Sequence, residues 1–226
     1  MSWCILCHSK MQEQVTWGML LGTDPDPVAC SPCLEKMTKI TGPVCAKCGR
    51  PMDSESLCTD CVRWNEREEG ILKENRSIYS YTETMKEVMN RFKFRGDAEI
   101  IRLFEQDIRT AARKIPRKAV LVPIPLSAER LQERGFNQAE LIAGCIRRPI
   151  VHPFIRLTSE KQSKKSRKER LAGAPLFALN PEVTVKNLYI VIIDDIYTTG
   201  NTVYQAAKLL KKAGAQDISS LTLIRG

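Results

Sequence analysis

Hydrophobic residues follow regular strand and helix patterns only after about residue 70. Residues 76–82 alternate and are rich in aromatic and β-branched side chains, which predicts a strand. Continuous apolar runs at 119–125 and 187–194 predict strands that are buried on both faces of a sheet. A short strand near 149–155 and a last strand at 217–224 complete the predicted set.

Helices are predicted between these strands, where apolar residues recur three and four positions apart. The first of them places Met85, Val88, Met89 and Phe92 on one side. The predicted helices cover 83–95, 97–114, 127–147 with an interruption at Gly135, and 201–213. Because helices and strands alternate, the sequence predicts an α/β fold with a mostly parallel sheet and helices on both faces.

The first 61 residues contain eight of the nine cysteines and few large apolar groups. The eight form four C-x-x-C pairs: Cys4 and Cys7, Cys30 and Cys33, Cys45 and Cys48, Cys58 and Cys61. A C-x-x-C pair presents two sulfurs to one ion, and a tetrahedral zinc site takes two such pairs. The sequence therefore predicts two structural Cys4 zinc sites, whose metal supplies folding energy that so small a core cannot.

The pairing of the cysteines stays open at this point. Sequential pairing, first with second and third with fourth, gives two independent ribbons and is favoured over an interleaved arrangement. Gly49, directly after Cys48, suits a turn with positive φ under the sulfurs. We expect His8 to be a surface residue rather than a zinc ligand, and Cys145 to be a small buried hydrophobe.

The net charge of +9 is unevenly distributed. Residues 1–70 hold 7 basic and 10 acidic groups, whereas the rest of the chain holds 28 basic and 16 acidic groups. A basic α/β part indicates an anionic partner such as nucleic acid or a phosphate-rich ligand, unless the charge serves solubility alone. Without an apolar run of about 18 residues or a signal-peptide pattern, we expect no membrane insertion and a cytoplasmic location, where disulfides are rare.

The segment IVIIDDIYTTGNT, 190–202, carries the most specific chemistry. An apolar strand runs into Asp194 and Asp195, and a helix opens just after Gly200. A helix N-terminus offers unpaired N–H groups to a phosphate, the glycine allows the backbone to come close, and threonine hydroxyls add donors. Two carboxylates beside such a loop suit sugar hydroxyls, a metal ion, or both.

This segment resembles the phosphoribosyl-diphosphate (PRPP) motif of type I phosphoribosyltransferases. The resemblance implies that Asp194 and Asp195 are catalytic residues that hold the ribose hydroxyls, and that Mg²⁺ arrives with the pyrophosphate. It also implies that the 5′-phosphate is bound by the loop that follows: Thr198, Thr199, Gly200, Asn201 and Thr202.

Further motifs extend the resemblance over nearly the full length. The cysteine-rich start and the segments KFRGD (93–97), VPIPLS (122–127) and RGFNQAE (134–140), together with the PRPP loop, resemble the ComF family. That family implies a double zinc ribbon, here expected at 1–66, before a phosphoribosyltransferase-like domain, here 67–226. It also implies a role in the uptake of transforming single-stranded DNA, beside a DNA-translocating helicase.

Anion ligands are expected just beyond the VPIPLS segment, where a pyrophosphate loop belongs in this family. Arg130, Arg134 and Asn137 are candidates to face the pyrophosphate or an acceptor, with Arg134 favoured, while Gly135 and Phe136 also suit packing roles. The basic stretch KQSKKSRKER (161–170) lies where these enzymes often carry a lid, so Lys164 and Lys165 are candidates to close over pyrophosphate or to contact DNA. The alternative is a solvated run of charge.

Three functions remain open. The favoured one is a competence factor for uptake of single-stranded DNA that carries a PRPP- and Mg²⁺-binding site, with turnover and any acceptor undecided. The second is a phosphoribosyltransferase of nucleobase or nucleotide metabolism, which would release pyrophosphate in a base-dependent way. The third is a non-catalytic scaffold that docks a helicase and binds PRPP as a regulatory ligand.

Overall fold

A central sheet of four parallel strands organises the molecule. The computed structural model describes residues 2–11, 17, 27–67, 70–94, 96–157 and 176–226. The strands of the central sheet are β1 (Asn75–Ser80), β2 (Ala119–Pro123), β5 (Tyr189–Tyr197) and β6 (Asp217–Arg225), in the spatial order β1-β6-β5-β2. A second sheet pairs β3 (Phe154–Arg156) with β4 (Phe177–Leu179) in antiparallel register.

Seven α-helices lie in the part of the chain that the structure describes. They are α1 (Ser31–Glu35), α2 (Thr59–Arg67), α3 (Glu83–Phe94), α4 (Ile101–Ala112), α5 (Ala128–Arg134), α6 (Gln138–Gly144) and α7 (Asn201–Lys212), with a 3₁₀ turn at Ala98–Ile100. No helix of these described ranges is long and apolar enough to cross a membrane.

The sheet is buried on both faces, as its apolar strands predict. Along β5, Val191 and Ile193 pack on one face with α3, α4, α6 and the first cysteine pairs. The alternate residues Ile190 and Ile192 pack on the other face with α7, the second sheet and the last four cysteines of the ribbons. The α/β class with helices on both faces is therefore confirmed, and the ribbons add to both layers.

The ribbon segments cover the outer edge of β1. Lys39 forms an antiparallel bridge with Tyr79, flanked by a hydrogen bond of 2.9 Å from Ile40 N to Ile78 O. Nearby, Asn75 N donates to Lys47 O at 2.7 Å. The last ribbon helix, α2, continues to Arg67 and so runs through the domain boundary that we predicted after residue 66.

Two predicted elements differ in detail. The strand expected near 149–155 is divided: Ile150 makes a parallel bridge with Leu121, and the next strand, β3, turns away to pair with β4, which the sequence did not predict. The helix expected at 127–147 is two helices, because Gly135 ends α5 with φ of 78° and the Asn137 side chain caps α6 by accepting from Ala139 N.

Candidate functional site

The cysteines form two clusters, each built from consecutive pairs. Within each cluster the four sulfur atoms lie within 4.8 Å of one another: Cys4, Cys7, Cys30 and Cys33 in the first, and Cys45, Cys48, Cys58 and Cys61 in the second. The distances Cys7 Sγ–Cys30 Sγ and Cys48 Sγ–Cys58 Sγ are both 3.7 Å. Tetrahedral Zn–S bonds of about 2.3 Å place ligand sulfurs about 3.8 Å apart, so both clusters fit zinc, and the sequential pairing is confirmed.

The two clusters share one turn geometry. Gly49 has φ of 70° and donates its N–H to Cys45 O at 2.9 Å. His8 follows Cys7 at the equivalent place, with φ of 57° and the same 2.9 Å bond to Cys4 O. His8 is exposed and outside the four-sulfur cluster, so it serves the turn and not the metal.

The clusters differ in burial. All four cysteines of the second cluster are buried, whereas Cys7 in the first is exposed. Hydrogen bonds from Cys61 and, after it, from the Arg225 guanidinium lower the pKa of Cys48 to about 4, although desolvation opposes them. The buried cluster therefore already favours a thiolate at one of its ligands.

Asp194 and Asp195 lie near the carboxyl end of β5, at the carboxyl end of the central sheet. The strand continues past them to Tyr197 because β6 pairs with it along that length. Asp195 forms an ion pair with Lys93 of α3, with 2.7 Å between Nζ and Oδ2, and both side chains are less than one fifth exposed, at 18% and 14%. The acid pair is thus held in place from the opposite helical layer.

The environment of Asp194 raises its pKa. Its Oδ1 accepts the backbone N–H of Asp195 at 2.9 Å. Desolvation and, after it, the Asp195 charge raise the pKa of Asp194 to about 7, although Lys93 and Arg156 lower it. A carboxyl with a strongly raised pKa at the end of a parallel strand is a feature that functional sites often show.

The residues after β5 form a tight turn into α7. Gly200 has φ of 83° and is the N-cap of α7, which has no side-chain cap. A Cβ at this position would overlap the Tyr197 hydroxyl, so only glycine fits. Thr198, Thr199 and Asn201 are exposed beside this turn, and Thr202 is half-buried. An uncapped helix start with exposed hydroxyls at a strand end is a phosphate-binding geometry.

The predicted anion ligands are placed unevenly. Arg130 is exposed. Desolvation and, after it, the charge of Arg130 lower the pKa of Arg156, whereas the Asp194 charge raises it. Arg134 is buried and donates to Gln138 Oε1 at 3.0 Å, and its guanidinium lies 5.5 Å from the Phe94 ring centre. These contacts show Arg134 in a packing position, while its role toward an anion stays a prediction.

Asn137, the third candidate, is engaged by the backbone: besides capping α6, its Nδ2 donates to Ile124 O at 2.9 Å. Lys164 and Lys165 lie outside the described residues. Their suggested lid role remains a prediction, as do the roles of the acid pair and the phosphate loop.

Four residues around the site were not predicted from the sequence: Lys93, Arg156, Trp64 and Arg225. Lys93 lies in the KFRGD segment, which the resemblance singled out without giving this lysine a role. Trp64 donates its indole N–H to Thr199 O at 2.8 Å and borders a cleft of about 180 Å³ with Asp60, Arg63, Arg67 and Thr199. A tryptophan in an otherwise polar helix was the only signal for it.

Comparison with known proteins agrees with this layout. A double zinc ribbon domain matches residues 2–62, and a phosphoribosyl transferase domain matches residues 95–226. Competence protein ComFC of Bacillus subtilis (strain 168) is 48% identical over 98% of this chain and 94% of its own length. The chain belongs to the ComF family. Competence protein ComFC of Streptococcus pneumoniae R6 is 32% identical, with 98% of this chain and 99% of that protein covered.

Another relative of the ComF-family chain has a different name. The DNA utilization protein YhgH of Salmonella typhi is 30% identical over 98% of this chain and 96% of its own length. All three relatives match almost end to end, so the likeness covers both the ribbon part and the phosphoribosyl transferase part of this chain. Both cysteine clusters and the loop after β5 lie inside the matched domains.

Proposed function

We propose that this ComF-family chain is a competence factor that handles transforming single-stranded DNA and binds PRPP with Mg²⁺ at the carboxyl end of β5. The PRPP site is supported by one observation, namely that an acid pair and a helix start lie next to each other. The half-buried acid pair, fixed by Lys93, ends five residues before Gly200, the N-cap of a helix start whose turn only glycine can make. Carboxylates for sugar hydroxyls and N–H groups for a phosphate are thus presented at the same sheet edge.

Each group then has a defined task. Asp194 and Asp195 accept hydrogen bonds from the ribose hydroxyls, and the positive charge of Lys93 offsets part of their negative charge. The first N–H groups of α7 and the Thr198 and Thr199 hydroxyls donate to the 5′-phosphate. Arg130 and Arg156 face the anionic diphosphate. Mg²⁺, when bound with the diphosphate, neutralises part of its charge.

The decisive experiment is isothermal titration of PRPP with Mg²⁺ into the zinc-loaded protein. We expect binding by the wild type and loss of it in Asp194→Ala/Asp195→Ala. The matched control is Asp217→Asn, at the start of β6 and so at the opposite end of the strands, where the carboxylate pairs with Lys73 at 3.5 Å. No binding by the folded wild type would reject the PRPP site.

Turnover needs its own measurement. Pyrophosphate release from PRPP, screened against free bases and against single-stranded DNA, separates the competence role from a metabolic one. Release that depends on a free base would favour nucleobase metabolism. Binding without release under any condition would favour the scaffold role with PRPP as a regulatory ligand.

The charge distribution supports the DNA part of the proposal. Exposed lysines gather where the parallel strands begin, at the sheet edge opposite the acid pair; this basic edge consists of Lys118, Lys186, Lys211 and Lys212. Lys118 Nζ lies 3.4 Å from the centre of the Tyr189 ring. Asn187, next to Lys186, donates its N–H at 2.9 Å to Gly214 O in the turn after α7, so Lys186 lies near the end of the helix that carries Lys211 and Lys212.

Single-strand binding at the basic edge has a measurable salt signature. Each phosphate contact contributes about 0.7 to the slope of log affinity against log salt. We expect Lys118→Gln/Lys186→Gln to reduce this slope by about 1.4 for a fluorescent oligothymidylate. Lys10→Gln/Lys36→Gln, which removes two exposed ribbon lysines, is the control. An unchanged slope in the first variant would move DNA binding away from this edge.

A further inference from the structure

The second cysteine cluster lies directly behind the phosphate loop. Arg225, at the end of β6, is only 4% exposed and reaches from one to the other. Its Nη2 donates to Cys48 Sγ at 3.4 Å, and its Nη1 donates to Tyr197 O at 3.2 Å and Thr198 O at 2.9 Å. One guanidinium therefore joins a zinc ligand to two successive carbonyls of the loop.

A second connection runs through α2, the helix that carries Cys61. Trp64 donates its indole N–H to Thr199 O at 2.8 Å. The indole also stacks on Tyr204 of α7, with 4.1 Å between ring centres and 3° between planes. Tyr204 N in turn donates to Gly200 O at 2.8 Å. The ribbon thus holds the third carbonyl of the loop and the first turn of α7.

The direction of these bonds determines what the loop can bind. In a trans peptide the C=O and N–H point in opposite directions. When the oxygens of Tyr197, Thr198 and Thr199 point toward the ribbon, the N–H groups of the same peptides point away from it. Those N–H groups belong to Thr198, Thr199 and Gly200, the residues that face the phosphate site.

We propose that Arg225 and Trp64 are positioning residues through which the second zinc site fixes the phosphate loop in its anion-binding conformation. The zinc-bound thiolates carry net negative charge, which a buried guanidinium balances while it donates to one of the sulfurs. Without the metal the four sulfurs are no longer held together at one ion, so Cys48 Sγ no longer fixes the position of the Arg225 guanidinium. The inference rests on the proposed PRPP site for its ligand, but the ordering of the loop can be measured without ligand.

Two full-length variants test the connection. Trp64→Phe keeps a ring against Tyr204 and removes only the indole donor, and Arg225→Gln removes the guanidinium. The control is Arg91→Gln, since Arg91 similarly donates from the body to Leu6 O of the first ribbon, at 3.0 Å, far from the loop in the sequence. For each protein we would measure bound zinc, amide hydrogen exchange over 198–204, and the affinity for PRPP with Mg²⁺.

With two zinc ions retained, we expect Trp64→Phe to weaken PRPP binding by about threefold to tenfold, the equivalent of one hydrogen bond. Arg225→Gln should weaken it more, and both should speed exchange of the Tyr204 N–H, which donates to Gly200 O, whereas Arg91→Gln should change neither. Exchange at wild-type rates in both variants would overturn the inference, even if the wild type binds PRPP. Faster exchange with no PRPP binding by the wild type would uphold the connection and reject the proposed function instead.

The metal itself is tested by two serine variants. Cys58→Ser weakens the second site, and Cys30→Ser weakens the first by an equivalent change. We expect faster exchange of the Tyr204 N–H in Cys58→Ser alone. Equal exchange in both would show that the loop does not depend on the second zinc site in particular. If Cys58→Ser does not fold, the Trp64→Phe result decides.

Discussion

Asp194→Asn should change how stability depends on pH. In the wild type, burial and the Asp195 charge raise the pKa of Asp194 from 3.8 to about 7. The folded chain therefore holds a proton that the unfolded chain releases between these values. Because the folded pKa is the higher one, the stability that this group contributes is complete at low pH and is lost as pH rises through about 7.

The magnitude follows from the same pKa. Between about pH 6 and pH 8 a group with a pKa of about 7 loses its proton only in the folded state, a tenfold change in the folding equilibrium, or about 1.4 kcal/mol. Asparagine keeps an oxygen that can accept the Asp195 N–H but cannot titrate. The variant should therefore gain about 1.4 kcal/mol on the wild type between the two pH values.

Urea unfolding of both proteins, with zinc bound, gives the free energy of unfolding at each pH. The change between the two pH values is then compared between the wild type and Asp194→Asn. Shared effects, such as titration of the zinc ligands, cancel because both proteins contain them. Asp217→Asn, whose carboxylate lies at the other end of the sheet, should follow the wild type. Parallel pH dependence of wild type and Asp194→Asn would refute the claim that this carboxyl is held protonated near neutral pH.

Two further predictions concern the same site. Gly200→Ala should lower the free energy of unfolding by about 1–2 kcal/mol because of its left-handed backbone, and further because the new methyl overlaps the Tyr197 hydroxyl; it should also lose PRPP binding. Gly42→Ala is the control, since Gly42 has φ of 82° and open space around it. In thermal unfolding it should show only the backbone contribution. Lys93→Gln removes a charge that lowers the pKa of Asp194, so the pH midpoint of PRPP binding, measured by titration across pH, should rise; a midpoint that stays or falls would contradict this.

The metal sites were predictable because their chemistry is local. A C-x-x-C pair places both sulfurs on one turn, and the two consecutive clusters confirm the pairing that the ribbon argument favoured. The strand, turn and helix of the proposed phosphate site were predictable for the same reason, since strand, acids, glycine and helix start follow one another in the chain. Such motifs can be read from consecutive residues, without knowing which elements pack against them.

The missed residues act across long sequence separations. Lys93 reaches Asp195 only because α3 packs over the end of β5, and Arg225 reaches Cys48 only because the second ribbon packs on the sheet. Arg134 illustrates another limit: the family motif made it a candidate anion ligand but gave no sign that its side chain is buried against Gln138, and the ligand role stays a prediction. Periodicity and motif spacing carry no information about such contacts.

The bridges at the two outer strands have a consequence for solubility. Unpaired N–H and C=O groups on an outer strand can recruit strands from other molecules. Here Lys39 bridges to β1, and Ile150 bridges to β2, so a short segment shields each side of the central sheet. The shield over β1 belongs to the zinc-dependent part of the chain. Loss of zinc would therefore uncover a strand that can pair with a second molecule, and self-association would accompany metal loss.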